Sequence, residues 1–158
     1  MKIEFPGFFD LQVNGFAGVD FNSSGCRPDQ LKHAIDALGA TGVTRFLPTL
    51  ITSSLDTFSS CAHTLLAFPD PAIAGIHMEG PYISPHDGPR CAHSREHVTE
   101  ASVEDFKRRQ DAAGGSIVFV TIAPEIPGAL RLIEHLVASR IRVAIATLPL
   151  HRSRFAMP

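Results

Sequence analysis

Residues 75–82 carry the pattern that points most directly to chemistry. Their sequence, GIHMEGPY, places His77 two residues before Glu79 in an otherwise apolar run that a Gly-Pro pair closes. Residues two apart in a β-strand face the same side of the sheet. Burial of a carboxylate is costly unless a cation, a hydrogen-bond donor or a metal compensates its charge. Glu79 is therefore a candidate metal ligand or catalytic group, with a carboxylate paired to an arginine or to backbone amides as the alternative. For His77 alone, the pattern favours a hydrogen-bonded histidine in the sheet interior.

Polar side chains also end the first apolar segment of the chain, residues 8–14. This segment is short, precedes a glycine and fits a β-strand, in which alternate residues share a face. Asp10, Gln12 and Asn14 are therefore expected to point to one side and the apolar residues between them to the other. The pattern places Gln12 and Asn14 at the C-terminal end of the strand.

Strand-like and helix-like segments alternate along the rest of the chain. Apolar residues spaced i, i+3, i+4, i+7 predict helices, and short apolar runs predict strands. Pro48 is expected near the end of its strand because proline cannot donate a hydrogen bond within a sheet. Ser102 is the predicted N-cap of the third helix. The predicted strands are residues 8–14, 44–51, 72–79, 116–122 and 141–145, and the predicted helices lie near residues 31–38, 55–66, 102–113 and 129–137, with a long loop over residues 83–98.

This alternation predicts an α/β fold built from βαβ units around a parallel sheet. An open doubly wound sheet and part of a (β/α)8 barrel both fit it. The glycine-rich dinucleotide motif is missing after the first strand, and the sequence contains no Walker A motif. In a barrel, functional residues lie at the C-terminal ends of the strands. The polar residues predicted to lie there are Gln12, Asn14, His77, Glu79 and, just past the fourth strand, Glu125.

Composition excludes several classes of function. The 158 residues are 44% hydrophobic, which fits one compact domain with a buried core. Their formal net charge of −2 excludes a strongly basic nucleic-acid-binding protein and a polybasic membrane-binding protein. The three cysteines show no CxxC spacing, and the N-terminus lacks the apolar core of a secretory signal. We therefore expect a reduced, cytoplasmic protein without nucleic-acid or membrane partners.

Four segments in register resemble a known family. They are residues 6–15 (PGFFDLQVNG), 46–52 (FLPTLIT), 75–81 (GIHMEGP) and 121–125 (TIAPE). Together they resemble the N-acetylglucosamine-6-phosphate deacetylases, metal-dependent barrels of the amidohydrolase superfamily. The resemblance runs in order from residue 6 to about residue 145.

The resemblance implies removal of acetate from N-acetylglucosamine 6-phosphate to give glucosamine 6-phosphate, with a divalent metal, zinc or iron, and a homo-oligomeric full-length enzyme. It implies that Glu79 is a metal ligand and that Ala92 and His93 contact the sugar. Gln12 and Asn14 stand where many superfamily members have His-x-His. Because amide oxygens are poor zinc ligands, we expect one metal, with these two residues and His77 in supporting or vestigial positions. Cys91 replaces a usual glycine, which affects the expected conformation of its loop.

Other positions of the family are missing from this sequence. The family takes two further metal ligands from histidines after strands five and six, and its general base is an Asp at the end of strand eight, so no catalytic residue is identified here. Ala146 and Thr147 stand where Gly-His is expected, and loss of one base from Gly-His codons would produce them. This suggests a frameshift, with residues 146–158 as an atypical tail.

We therefore expect a truncated (β/α)8 TIM-like barrel with about five parallel strands over residues 6–145, preceded by a remnant of a β-sandwich over residues 1–5. Such a chain is expected to be inactive alone. Two alternatives stay open: a non-catalytic fragment or decayed gene product, and a deacetylase of another N-acyl amino sugar.

Overall fold

A curled, five-stranded parallel sheet forms the centre of the protein. The computed structural model describes residues 6–146, so the predictions for residues 1–5 and for the tail after Ala146 lie outside the described residues. The strands stand in the order in which they follow along the chain, and all neighbours are parallel. They are β1 (Phe8–Val13), β4 (Val43–Ile51), β5 (Ile76–Glu79), β6 (Ile117–Ile122) and β7 (Arg142–Ile145).

Four α-helices connect these strands, so the predicted alternation and the partial barrel are confirmed. Each helix turns an apolar stripe toward the sheet; α1, for example, buries Leu31, Ala34, Ile35 and Leu38. None of the helices in the described part of the chain is long and apolar enough to cross a membrane. The helices are α1 (Pro28–Ala40), α2 (Leu55–Leu66), α3 (Val103–Ala112) and α4 (Ala129–Ala138), with a 3-10 turn at Arg95–His97.

Side-chain caps begin two of the helices. The Ser102 hydroxyl accepts a hydrogen bond from the backbone N–H of Asp105 over 3.2 Å, so the predicted cap of α3 is confirmed. Ser54 caps α2 in the same way through the N–H of Thr57. Each cap satisfies one of the N–H groups that a helix leaves without a partner in its first turn.

A short hairpin between β1 and α1 was not predicted from the sequence. Its strands, β2 (Gly15–Phe16) and β3 (Val19–Asp20), form a separate antiparallel pair. The two residues of its turn, Ala17 and Gly18, both have positive φ angles, 49° and 81°. Such turns favour Asn-Gly and similar pairs. Because alanine stands at the first position here, the sequence lacks the pattern that would have predicted the turn.

The third strand was predicted to begin at residue 72, four residues before its observed start. Residues 72–75 run beside β4 and join it at a single bridge between Phe46 and Ile73, and β5 itself begins at Ile76. Gly75 separates the two parts with a φ of 136°. A Cβ added there would lie 2.6 Å from a methyl carbon of Val118, so a side chain at this position would collide with the valine side chain.

The expectation for Pro48 is also wrong, because this proline lies inside β4 and not near its end. The ladder between β1 and β4 is irregular between Asp10 and Val13, and Val13 pairs with Pro48. A proline is tolerated within a sheet where the pairing is interrupted, because no ladder hydrogen bond is then lost.

Candidate functional site

Two cavities meet at Glu79, at the C-terminal end of β5. One has a volume of about 260 Å³ and lies against β6 and β7; we call it the Thr121 cavity. The other has a volume of about 400 Å³ and lies against the β2–β3 hairpin; we call it the Asn22 cavity. Both are lined by Glu79, Cys91 and His93; Gln12, Thr121 and Ala144 also line the first, and Asn14, Asp20, Asn22 and Ala92 also line the second.

Glu79 is held by side chains from distant parts of the sequence. The amide Nε2 of Gln12 donates to its Oε2 over 3.1 Å, and Nε2 of His93 lies 3.8 Å from its Oε1. The interaction with His93 is the largest cause that lowers the pKa of Glu79; burial opposes it, and His77 and Asn14 add to the lowering. The carboxyl group, with its side chain 19% exposed, is therefore an anion at neutral pH.

His93 reaches the site from the long loop after β5. Its Nδ1 lies 2.9 Å from the hydroxyl of Thr52, which follows β4. The guanidinium of Arg90 donates to the backbone oxygen of His93 over 2.6 Å and to the carboxylate of Asp87. These contacts hold the imidazole against Glu79 with only 13% of its side chain exposed.

Cys91 has a φ of 52°, in the left-handed region that favours glycine. The loop thus adopts at Cys91 a conformation for which glycine, the residue that the resemblance predicts here, is suited. The thiol is exposed, and its sulfur lies 3.5 Å from the backbone oxygen of Gly88. Ala92 is exposed on the wall of the Asn22 cavity, and its contact with a sugar stays a prediction.

His77 lies beneath the site, 1% exposed. Its Nδ1 lies 3.1 Å from the backbone oxygen of Leu11 and 3.2 Å from the hydroxyl of Thr49, and its Nε2 lies 2.8 Å from the hydroxyl of Thr121. Burial lowers the pKa of His77, against a smaller raising effect of Glu79. The imidazole therefore links β1, β4 and β6 to its own strand, β5.

Asn14 and Asn22 connect the hairpin to the end of the sheet. The Asn22 side chain donates to the backbone oxygen of Thr49 over 3.0 Å and accepts from the N–H of Ile51 over 2.8 Å. It also donates, over 3.4 Å, to the backbone oxygen of Asn14. The sequence did not indicate Asn22; the available signal is its turn with Asp20, whose carboxylate accepts the N–H of Asn22 over 2.9 Å.

A buried ionic cluster supports the outer side of the site. The Tyr82 hydroxyl donates to Asp105 over 2.8 Å, and Nε of Arg109 donates to the same carboxylate oxygen over 3.0 Å. The guanidinium of Arg109 also lies 5.5 Å from the ring centre of Phe58. Because Tyr82 follows the Glu79 segment, this cluster fixes the start of the long loop to α3.

The described residues do not complete a metal site by themselves. A catalytic zinc needs about three protein ligands and an open position. Glu79 and His93 place one carboxylate and one imidazole side by side, but residues 6–146 contain no group of three or more His, Cys, Asp or Glu side chains arranged to hold a metal. The predicted role of Glu79 as one ligand of a metal therefore stays a prediction.

Comparisons with known proteins agree with the resemblance in the motifs. N-acetylglucosamine-6-phosphate deacetylase from Caenorhabditis elegans is 33% identical over 154 residues, a match that covers 89% of this chain and 36% of that protein. N-acetylgalactosamine-6-phosphate deacetylase from Escherichia coli O157:H7 is 29% identical, over 89% of this chain and 37% of that protein. No family model matches the chain.

Solved structures show the same relationship. A variant of N-acetyl-D-glucosamine-6-phosphate deacetylase from Mycobacterium smegmatis, in complex with N-acetyl-D-glucosamine-6-phosphate, superimposes with a TM-score of 0.74 at 32% identity. The match covers 89% of this chain and 36% of that one. The chain thus spans about a third of the length of the relatives it matches. Over that third, its sequence and its half-barrel fold confirm the predicted resemblance to the N-acetylglucosamine-6-phosphate deacetylases.

Proposed function

We propose that this chain forms part of the active site of a metal-dependent deacetylase that converts N-acetylglucosamine 6-phosphate into glucosamine 6-phosphate and acetate. One observation carries the proposal: Glu79 is an ionised carboxylate at the C-terminal end of a barrel strand, where the Thr121 and Asn22 cavities meet. In barrel enzymes this end of the strands holds the functional groups. The similarity to deacetylases of this name over nearly the whole chain supplies the reaction.

In this proposal Glu79 is one ligand of a single zinc ion, with iron as the alternative metal. Such a metal, when bound, lowers the pKa of a water molecule and polarises an amide carbonyl. The remaining ligands and the general base come from residues outside those described, because residues 6–146 offer no complete set of metal ligands. The chain's own part is to hold the carboxylate ionised and fixed in direction through Gln12 and His93.

The two cavities supply the binding surface for the sugar. Their walls combine amides, carboxylates and an imidazole, which match the hydroxyl groups and the amide of an amino sugar as hydrogen-bond partners. We assign the contact with the sugar to Ala92 and His93, which line the Asn22 cavity. His93 is the stronger of the two assignments, because Thr52 and the loop around Arg90 fix its ring at the cavity wall.

The E. coli relative favours one alternative substrate. Its name specifies N-acetylgalactosamine 6-phosphate, and its identity to this chain, 29%, equals that of one relative named for N-acetylglucosamine 6-phosphate. The two sugars differ only in the configuration of one hydroxyl group, so the same carboxylate and metal would serve both reactions. The alternative changes the hydrogen-bond partner of that hydroxyl and leaves the role of Glu79 unchanged.

Acetate release is the direct test of this proposal. We expect the full chain with zinc to release acetate from N-acetylglucosamine 6-phosphate no faster than buffer. A chimera in which residues 6–145 replace the matched segment of the Mycobacterium smegmatis enzyme is expected to release acetate, and Glu79→Gln in that chimera is expected to abolish the release. The same assay with N-acetylgalactosamine 6-phosphate identifies the preferred sugar.

Two outcomes would overturn the proposal. A chimera whose turnover is unaffected by Glu79→Gln would remove Glu79 from the site. A folded chimera that binds neither metal nor sugar would instead favour a non-catalytic fragment. Glu134→Gln is the matched control, because this exposed glutamate of α4 lines neither cavity and its substitution removes the same charge.

A further inference from the structure

The hydrogen bonds of His77 fix which ring nitrogen carries the hydrogen. Nδ1 lies 3.1 Å from the backbone oxygen of Leu11, and a carbonyl oxygen can only accept. Nδ1 also lies 3.2 Å from the hydroxyl oxygen of Thr49, whose own hydrogen is donated to the backbone oxygen of Leu47 over 3.3 Å. Both neighbours of Nδ1 therefore act as acceptors, and Nδ1 must be the donor.

The other ring nitrogen then determines the direction of the next hydrogen bond. Nε2 lies 2.8 Å from the hydroxyl oxygen of Thr121. The ring is 1% exposed and meets Phe119 edge-on at 4.7 Å. Among the described residues, its two nitrogens contact only neutral oxygens, those of Leu11, Thr49 and Thr121, so a second ring hydrogen would bury a positive charge at considerable cost. Nε2 is therefore an acceptor, and the Thr121 hydroxyl donates its hydrogen to the histidine.

The direction of the hydrogen bond between Thr121 and His77 determines what the Thr121 cavity offers to a ligand. Thr121 lines that cavity and pairs with Glu79 across β5 and β6. Because its hydrogen is committed to His77, the hydroxyl oxygen has only lone pairs left for a ligand. A group that approaches Glu79 on this side therefore meets an acceptor at Thr121.

We propose that Thr121 is a binding residue that accepts a hydrogen bond from an N–H or O–H group of the substrate, and that His77 is the positioning residue that fixes this polarity. The inference rests on the proposed function for the identity of the substrate. An N-acetyl amino sugar offers donors of this class in its acetamide N–H and its hydroxyl groups. A ligand that presents a carbonyl or ether oxygen at the same place is disfavoured.

The first test measures which ring nitrogen of His77 carries the hydrogen, in the full chain without substrate. Nitrogen-15 NMR of labelled histidine distinguishes the two neutral tautomers. The expected result is a His77 ring with hydrogen on Nδ1 and an unprotonated Nε2 that accepts a hydrogen bond. Thr121→Val is expected to remove that bond and shift the Nε2 signal, and Thr121→Ser is expected to restore it. Hydrogen on Nε2, or an Nε2 signal insensitive to Thr121→Val, would overturn the inference.

The second test measures binding of N-acetylglucosamine 6-phosphate in the active chimera. Thr121→Val replaces the hydroxyl by a methyl group of similar size and is expected to weaken sugar binding roughly five- to tenfold, whereas Thr121→Ser keeps it near the parent value. Equal binding by all three proteins would overturn the role of Thr121 as a binding residue.

The two tests separate this inference from the proposed function. If the chimera with threonine binds no sugar, the proposed function fails, and the tautomer measurement still decides the polarity set by His77. If the chimera binds sugar but the tautomer is reversed, the proposed function stands and the inference fails.

Discussion

The amide of Gln12 donates a hydrogen bond to the carboxylate of Glu79 over 3.1 Å, across 67 residues of sequence and across the intervening strand β4. The contact is possible because the sheet curls, so that side chains at the C-terminal ends of β1 and β5 converge on its inner side. Gln12 therefore contacts the candidate metal ligand directly. It fixes one oxygen of Glu79 and leaves the other directed toward His93.

Substitution of Gln12 is expected to change the pKa of Glu79. Gln12→Glu places a second carboxylate beside the first, and repulsion between like charges raises the pKa. Gln12→Ala only removes a donor, so its rise is expected to be smaller. Carboxyl-carbon NMR titration measures the pKa of Glu79 in the parent, in Gln12→Ala and in Gln12→Glu. An unchanged pKa of Glu79 in Gln12→Glu would show that the two side chains do not interact in solution.

Asp105→Asn is expected to lower the free energy of unfolding by about 3 kcal/mol at pH 7, because it leaves the buried guanidinium of Arg109, 4% exposed, without its counter-charge. Urea unfolding monitored by circular dichroism measures the loss. Asp111→Asn, on the same helix, is the matched control and is expected to change stability little. Equal effects of the two substitutions would contradict the role of the cluster.

The same cluster predicts a pH dependence. Burial alone would raise the pKa of Asp105, but the hydrogen bonds from Arg109 and Tyr82 outweigh it and lower the pKa. The stability that ionised Asp105 contributes is therefore present above the ordinary pKa of aspartate, about 3.9, and is lost as the pH falls through the lower pKa of the folded protein. Unfolding series between pH 7 and about pH 2 should show this loss in the parent chain and a shallower acid dependence in Asp105→Asn.

Cys91→Gly is expected to stabilise the protein by about 0.5–1 kcal/mol, because glycine adopts the positive φ of this position without steric cost. Cys91→Ala also removes the thiol but keeps the Cβ, so it should bring no gain. Thermal unfolding of the two variants separates the effect of the backbone from that of the sulfur. A gain of the same size in Cys91→Ala would show that the thiol and not the φ angle is responsible.

Asn22→Asp tests the attachment of the hairpin to the sheet. The substitution keeps the shape of the side chain but replaces the Nδ2 donor, which contacts the backbone oxygen of Thr49, by an oxygen. Loss of this bond and the repulsion between two acceptors are expected to cost about 1–3 kcal/mol. Amide hydrogen exchange at Ile51, whose N–H contacts the same side chain, should accelerate. Ser24→Ala, at an exposed position of the same loop, serves as the control and should leave this exchange unchanged.

The sequence predicted the large elements well because their signals are local. The apolar stripe of α1, the Ser102 cap and the short runs of β1, β6 and β7 follow from periodicity and capping chemistry. Predictions from local pattern were wrong at two positions where contacts between distant residues determine the structure. Gly75 is required by the close approach of Val118, and Pro48 is tolerated because the pairing with β1 is irregular there.

The candidate site was predictable only in part. The spacing of His77 and Glu79 placed both on β5, and the alternation of β1 placed Gln12 at the same end of the sheet. The contacts of Asn22 and Thr121 depend on the curl of the sheet and on a hairpin that the sequence did not reveal. No local pattern distinguishes these two residues from other polar residues at strand ends.

The zinc content of the chimera, with and without Glu79, tests the central claim most directly. After dialysis against metal-free buffer, the chimera with Glu79 is expected to retain one zinc ion per chain and the Glu79→Gln variant to retain none, while the full chain alone holds less than one. A Glu79→Gln chimera that retains as much zinc as its parent, or a full chain that binds one zinc tightly through residues 6–146, would contradict the account.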